Sequence, residues 1–265
     1  MKTVHYLVAL TVSLAVLAAG SLNALAAGAV KKPSPEKVIA LLTEGNDRFV
    51  SGKPLHPHAD AARIKQSGAE NQGNHAYATV LSCSDSRVPV EMIFDAGIMD
   101  IFVVRVAGNV ANVDEIGSIE YGVAHVNTPV VVVLGHTQCG AVTAVTQEVQ
   151  GHGHSLERNI PPLIAGIRPA VKRAMAEHPE AHGDAVIPYA IEANVWQGIE
   201  DLFMKSPVCR NLVNGRVIKV VGAMYDVSTG KVTWLPDANV EQILKKVEAS
   251  PNRATNPMAT GGASH

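Results

Sequence analysis

The sequence predicts an α/β fold: a mainly parallel central sheet flanked by helices, with an antiparallel strand or hairpin at its C-terminal end. Two observations predict it. Three short apolar runs, at 77–81, 100–106 and 129–135, lack the alternation of a half-exposed strand. Such runs are typical of strands buried on both faces of a parallel sheet. Segments with helical spacing of apolar residues lie before and between these runs, as in α/β proteins.

The helices follow from capping signals and periodicity. Ser34-Pro35 favours a helix start, because serine caps a helix and proline suits its first turn. Apolar residues then recur at helical spacing until about Ser51. The other predicted helices are 116–126, 140–145, 160–177, 188–204 and 240–247.

The end of the sheet is predicted from a turn signal. A strand at 217–226 is followed by Ser228-Thr229-Gly230 and by the short run 232–234. Two β-rich runs joined by such a turn indicate a hairpin, and therefore an antiparallel addition to the sheet.

One domain, 34–248, is predicted between two segments of different character. Residues 1–26 have a positive charge at Lys2 and an apolar stretch of about 14 residues, shorter than the roughly 20 of a membrane-spanning helix. Together with Ala24-Leu25-Ala26, this predicts a signal peptide cleaved after Ala26, and a periplasmic or secreted protein. A retained membrane anchor is the alternative. The tail 250–265 is rich in Asn, Pro, Gly and Ser and is predicted to be disordered.

Composition excludes some partners. The chain has 22 basic and 24 acidic residues and no long run of one sign. Nucleic acid is therefore not an expected partner, and neither is a membrane once the signal peptide is removed. The three cysteines, Cys83, Cys139 and Cys209, are an odd number, which cannot form a closed disulfide framework.

Two of these cysteines follow predicted strands. Cys83 comes after the first strand, and His136 and Cys139 come at the end of the third. Ligand sites in open parallel sheets form beyond the carboxyl ends of strands. Two thiolates and an imidazole suit zinc, and three protein ligands leave a fourth position open, as in catalytic sites. A Cys83–Cys139 disulfide, or ordinary buried residues, are the alternatives.

Asp85 and Arg87 extend this candidate site. Bound zinc makes its water acidic, and the hydroxide that forms must be oriented. Asp85 could accept its hydrogen bond, and Arg87 could keep Asp85 ionised through a charge-assisted pair. The alternative is a turn with a surface ion pair, which contributes little.

Three segments resemble the signatures of β-class carbonic anhydrases, here of an exported bacterial type: Cys83–Val88, Arg105–Asn109 and Gly135–Val142. The resemblance spans about 34–235. It implies a mainly parallel sheet, one Zn²⁺ per subunit, and a homodimer or dimer-based tetramer. It also implies reversible hydration of carbon dioxide to bicarbonate and a proton through a zinc-bound hydroxide.

The resemblance also assigns roles to residues. Cys83, His136 and Cys139 are the implied zinc ligands, with Asp85 as the catalytic residue that orients the hydroxide and Arg87 as its partner. In some family members the matching aspartate ligates zinc in a closed, inactive state, so Asp85 is also a conditional fourth metal ligand.

Two positions depart from the family pattern. Many members have a substrate-binding glutamine where this chain has Asn74, and Gln72 is a possible substitute. Members with an inhibitory bicarbonate pocket have a tryptophan where this chain has Val80, although Arg105 and Tyr121 match that pocket. We therefore expect an enzyme that is in the open, active state at neutral pH, with Asp85 not bound to zinc.

Two other functions are considered. One is a hydrolase of carbonyl sulfide or carbon disulfide on the same fold. The other is a zinc-binding protein without turnover, against which Asp85 and Arg87 argue. Several further residues are expected to have no role in the site: His56 and His58, Gly151–His154, Trp196, Phe203 and Cys209.

Overall fold

The computed structural model describes residues 31–258. The strands are β1 (Ala78–Ser82), β2 (Ile101–Arg105), β3 (Val130–His136), β4 (Lys219–Tyr225) and β5 (Val232–Trp234). The helices are α1 (Pro35–Val50), α2 (Ala61–Ser67), α3 (Val90–Ile93), α4 (Val113–Ala124), α5 (Gly140–Val149), α6 (Ile160–Ile164), α7 (Arg168–Glu177), α8 (Ile187–Lys205), α9 (Pro207–Asn214) and α10 (Asp237–Glu248).

The five strands form one sheet in the order β2-β1-β3-β4-β5. The first three pairings are parallel, and β5 pairs antiparallel with β4. The predicted fold class is confirmed. The order also places β1 beside β3, although β2 and α4 separate them in the chain.

Both faces of the central strands are buried. Alternate residues of β3 belong to two cores: Val131 and Val133 pack with α4, α5, α7 and α8, whereas Val130, Val132 and Leu134 pack with α1 and α3. All residues of β1 and β3 are buried. The absence of alternation in the sequence therefore reflects burial on both sides.

β2 is less buried than its sequence predicts. It lies at the edge of the sheet, with Ile101, Phe102 and Val103 only partly covered and Arg105 exposed. Its apolar composition does not distinguish an edge strand from a central one, so the sequence did not show this difference.

The helical boundaries differ at prolines. The helix predicted over 160–177 is two helices, α6 and α7, joined by a 3-10 turn at Ala165–Ile167, and each begins with proline in its first turn. The helix α9 was not predicted. It starts where the Ser206 hydroxyl accepts a hydrogen bond from the Cys209 amide.

The predicted signal peptide lies outside the described residues. The predicted tail begins inside them: the Ala254 amide donates to the Met204 carbonyl at 2.9 Å, and the buried Arg210 donates to the Ala254 carbonyl. Disorder of the tail as a whole stays a prediction. Among residues 31–258, no helix combines the length and apolar character needed to cross a membrane.

Candidate metal centre

The carboxyl ends of two neighbouring strands bring the predicted ligands together. Cys83 directly follows β1, His136 is the last residue of β3, and Cys139 precedes the first turn of α5. Their ligand atoms lie within 4.8 Å of one another, and all three residues are buried. In the described part of the chain, no other group of three or more such side chains reaches this arrangement.

The imidazole of His136 has one nitrogen in use and one free. Nδ1 lies 2.9 Å from the Thr137 carbonyl oxygen, which can only accept, so Nδ1 carries the proton. Nε2 is fully buried and has no hydrogen-bond partner within residues 31–258. Buried polar atoms are normally satisfied, so an unpartnered lone pair beside two thiols fits the role of a metal ligand.

The two thiols are electrostatically linked. The nearby Cys139 thiol, whose sulfur lies within 4.8 Å of that of Cys83, is the largest cause that lowers the pKa of Cys83 to about 4. Burial opposes this shift, while the Gly108 and Asp85 amides, which donate to the Cys83 sulfur, contribute to it. The nearby Cys83 sulfur, together with burial, raises the pKa of Cys139. The two pKa values therefore shift in opposite directions, and a bound cation would favour the deprotonated form of both sulfurs.

Backbone geometry fixes the surroundings of Cys83. Its sulfur accepts from the Gly108 amide at 3.2 Å. Gly108 has φ of +78°, and a Cβ there would lie 2.6 Å from Ile167 Cδ1 and 3.0 Å from Ala141 Cβ, so a substitution would be strained. The buried Asn194 amide donates to the Gly108 carbonyl at 2.7 Å and holds this turn against α8.

The donor set fits zinc. Two sulfurs and one imidazole nitrogen are among its preferred ligands. All three cysteines are free thiols, so the alternative of a Cys83–Cys139 disulfide is not the form described here.

Asp85 lies beside the metal cluster but outside it. Arg87 holds its carboxylate with two parallel hydrogen bonds, Nε to Oδ1 at 2.9 Å and a terminal nitrogen to Oδ2 at 2.7 Å. The Arg87 amide adds a third at 2.9 Å. The hydrogen bonds from Arg87 hold the pKa of Asp85 well below its usual range, so it is ionised at neutral pH. The conditional role of Asp85 as a fourth ligand stays a prediction.

Arg105 supports the same loop from β2. Its Nε donates to the Cys83 carbonyl at 3.1 Å, and a terminal nitrogen donates to the Asp85 carbonyl at 2.8 Å. Tyr121, the other matching residue of the bicarbonate pocket, is half exposed and stacks on His125. Arg105 thus stabilises the backbone of the loop that contains Asp85.

Gln138 is a residue of the site that the sequence reasoning missed. It lies between two metal-cluster residues and contacts Arg87 through both its backbone and its side chain. The only signal was its position inside the His136–Cys139 spacing, which does not reveal the contact.

The remaining residues considered from sequence lie elsewhere. Gln72 and Asn74 share one 3-10 turn before β1, so their substrate role stays a prediction. His152 and His154 are exposed in a loop. Phe203 and Trp196 are buried in the core, as expected, and Cys209 is a buried thiol.

The fold and this centre define an α/β protein with a candidate metal site of two sulfurs and one nitrogen at its strand ends. The sequence pattern of the carbonic anhydrase family matches residues 78–232. Carbonic anhydrase 2 of Mycobacterium tuberculosis is 34% identical over 197 residues, covering 72% of this chain and 87% of that protein. The carbonic anhydrase of Mycolicibacterium smegmatis is 34% identical over 198 residues, covering 72% and 88%.

A solved structure agrees. The β-carbonic anhydrase CafA of Aspergillus fumigatus is 30% identical, with a TM-score of 0.57, covering 71% of this chain and 90% of that one. The chain belongs to the carbonic anhydrase family, in its β class. The two alternative functions, a hydrolase of sulfur analogues and a zinc-binding protein without turnover, are not favoured by these relatives.

Proposed function

We propose that this protein is a zinc-dependent carbonic anhydrase that interconverts carbon dioxide and bicarbonate. One observation carries the proposal. The Nε2 atom of His136, which has no hydrogen-bond partner in the described residues, lies close to the sulfurs of Cys83 and Cys139. Asp85, which Arg87 keeps ionised, lies beside them. The chain that carries this arrangement belongs to the carbonic anhydrase family.

Cys83, His136 and Cys139 would hold the ion. When bound, zinc supplies a Lewis acid that lowers the pKa of a water molecule enough to make it a nucleophile near neutral pH. Two thiolates neutralise the charge of the ion, and the Gly108 and Asp85 amides stabilise the Cys83 thiolate by donating to its sulfur.

Asp85 would orient the reacting water. As a carboxylate it can only accept hydrogen bonds, so a water or hydroxyl group beside it must point its hydrogen at Asp85. A lone pair of that oxygen is then left for carbon dioxide. Arg87 contributes by fixing the orientation of the carboxylate plane and by keeping the carboxylate unprotonated.

A cysteine pair in the chain tests the proposal. Cys139→Ala removes a ligand, whereas Cys209→Ala removes a buried thiol that is far from the cluster in sequence and is not one of its members. Zinc content and stopped-flow hydration of carbon dioxide would be measured on both variants and on the unaltered protein. We expect one zinc per chain and rapid hydration for the unaltered protein and for Cys209→Ala, and loss of both for Cys139→Ala.

Two results would overturn it. An unaltered protein that holds zinc but does not hydrate carbon dioxide would favour the binding protein. Hydrolysis of carbonyl sulfide or carbon disulfide without hydration would favour the other enzyme.

We also infer a homodimer or dimer-based tetramer. The support is the edge strand β2, whose apolar side chains Ile101, Phe102 and Val103 are only partly covered. An uncovered apolar edge is a pairing surface that soluble proteins normally protect.

The exported bacterial type is proposed from the apolar N-terminal segment and Ala24-Leu25-Ala26; an intact Met1 terminus on the protein isolated from its own cells would refute it.

A further inference from the structure

Gln138 connects the two loops that carry the metal cluster. It lies in the loop after β3, between His136 and Cys139, while Asp85 and Arg87 lie in the loop after β1. Its backbone has φ of +58°, a left-handed conformation that is uncommon for glutamine. Such a conformation persists only where surrounding contacts support it.

The guanidinium of Arg87 is held at both ends. One terminal nitrogen donates to the Gln138 side-chain oxygen Oε1 at 3.2 Å, and the other donates to the Gln138 carbonyl at 3.0 Å. The remaining contacts, from Nε and the second terminal nitrogen, go to Asp85. A single residue thus accepts from the two nitrogens that could otherwise swing toward solvent.

This matters because Arg87 is not buried. Its side chain is 45% exposed, whereas that of Asp85 is 19% exposed. An exposed arginine loses much rotamer freedom when it is fixed, and an isolated surface ion pair is weak. The two contacts with Gln138 add a second anchor that holds the guanidinium in one orientation against Asp85.

We propose that Gln138 is a positioning residue for hydration: it fixes Arg87, and through Arg87 the plane of the Asp85 carboxylate. This inference rests on the proposed function. Gln138 would then do more than separate the candidate ligands His136 and Cys139 in the sequence.

Gln138→Met tests the inference, because methionine keeps the length of the side chain and loses the acceptor. We expect kcat for carbon dioxide hydration to fall about 5-fold, the order expected for the net contribution of one ordinary hydrogen bond, with KM and zinc content unchanged. In an Arg87→Ala background the same substitution should change kcat by less than about 2-fold, because coupled residues are not additive. Gln242→Met, an exposed glutamine on α10, is the matched control and should leave kcat unchanged.

Three results would contradict the inference. They are unchanged kcat in Gln138→Met, an equal loss in the two backgrounds, and a loss of kcat that follows loss of zinc. If Gln138→Met does not fold, Gln138→Asn replaces it, since asparagine tolerates the left-handed conformation and is too short to reach Arg87. An unaltered protein without hydration activity would instead refute the proposed function.

Discussion

At the scale of single residues, the site depends on side chains that are fixed by one hydrogen-bonding neighbour and can still contact a ligand. The Nδ1 atom of His136 donates to the neighbouring carbonyl, which fixes the ring and leaves Nε2 directed to the cluster. Asp85 is likewise fixed by Arg87, with its charge retained. Each side chain is thus prepared for one chemical task before any ligand arrives.

Asp85→Asn should separate this preparation from metal binding. The amide cannot serve as the same acceptor, because one of its two groups donates hydrogen bonds. We expect kcat/KM for hydration to fall about 100-fold, in the range of a lost acid–base residue, while zinc content stays at the unaltered level.

Asp237→Asn is the control for Asp85→Asn. Asp237 is an exposed aspartate that pairs with Lys219 at the start of α10, and its loss should leave hydration unchanged. Equal rates for Asp85→Asn and the unaltered protein would remove Asp85 from the mechanism.

The sequence predicted Cys83, His136 and Cys139 as a cluster because strand ends meet at one edge of a parallel sheet. It could not predict Gln138. The contact with Arg87 depends on a left-handed backbone at a residue type that rarely adopts one, so neither composition nor spacing indicates it.

At the scale of elements, α4 packs closely on the sheet because of one glycine. A Cβ at Gly122 would lie 2.4 Å from Thr79 Oγ1 on β1, and that hydroxyl is already hydrogen-bonded to Thr128 at 2.6 Å. The helix therefore lies too close to β1, the strand that precedes Cys83, to accommodate a side chain at this position.

Two glycines on α4 test this packing. Gly122→Ala should lower the free energy of unfolding by about 1–3 kcal/mol, the usual cost of overpacking. Gly117→Ala, on the exposed side of the same helix with open space around it, should raise it by up to about 1 kcal/mol through helix propensity. Chemical denaturation measures both. Equal stability of the two variants would show that the strand moves aside without cost.

Periodicity predicted the sheet and most helices, but not where α6 ends and α7 begins. Apolar spacing continues through 160–177, whereas Pro169 starts a new helix after the 3-10 turn. The edge position of β2 was equally hidden, because neighbour order depends on contacts between distant segments.

At the scale of the whole molecule, the open edge of β2 predicts self-association. Val103→Lys places a charge on this edge, a substitution that prevents strand pairing between molecules. We expect light scattering after size exclusion to give a dimer or tetramer for the unaltered protein and a monomer for the variant. Val217→Lys, at a valine that is 59% exposed before β4, should keep the unaltered mass. A monomeric unaltered protein would contradict the proposed assembly.

The adjacency of β1 and β3 has a consequence for durability. An ion coordinated by Cys83, His136 and Cys139 would link two segments that are more than fifty residues apart in the sequence. Fastening so long an interval restricts the unfolded chain far more than it restricts the native one. The zinc ion would then act both in catalysis and as a cross-link, so loss of zinc would lower the stability of the protein as well as its activity.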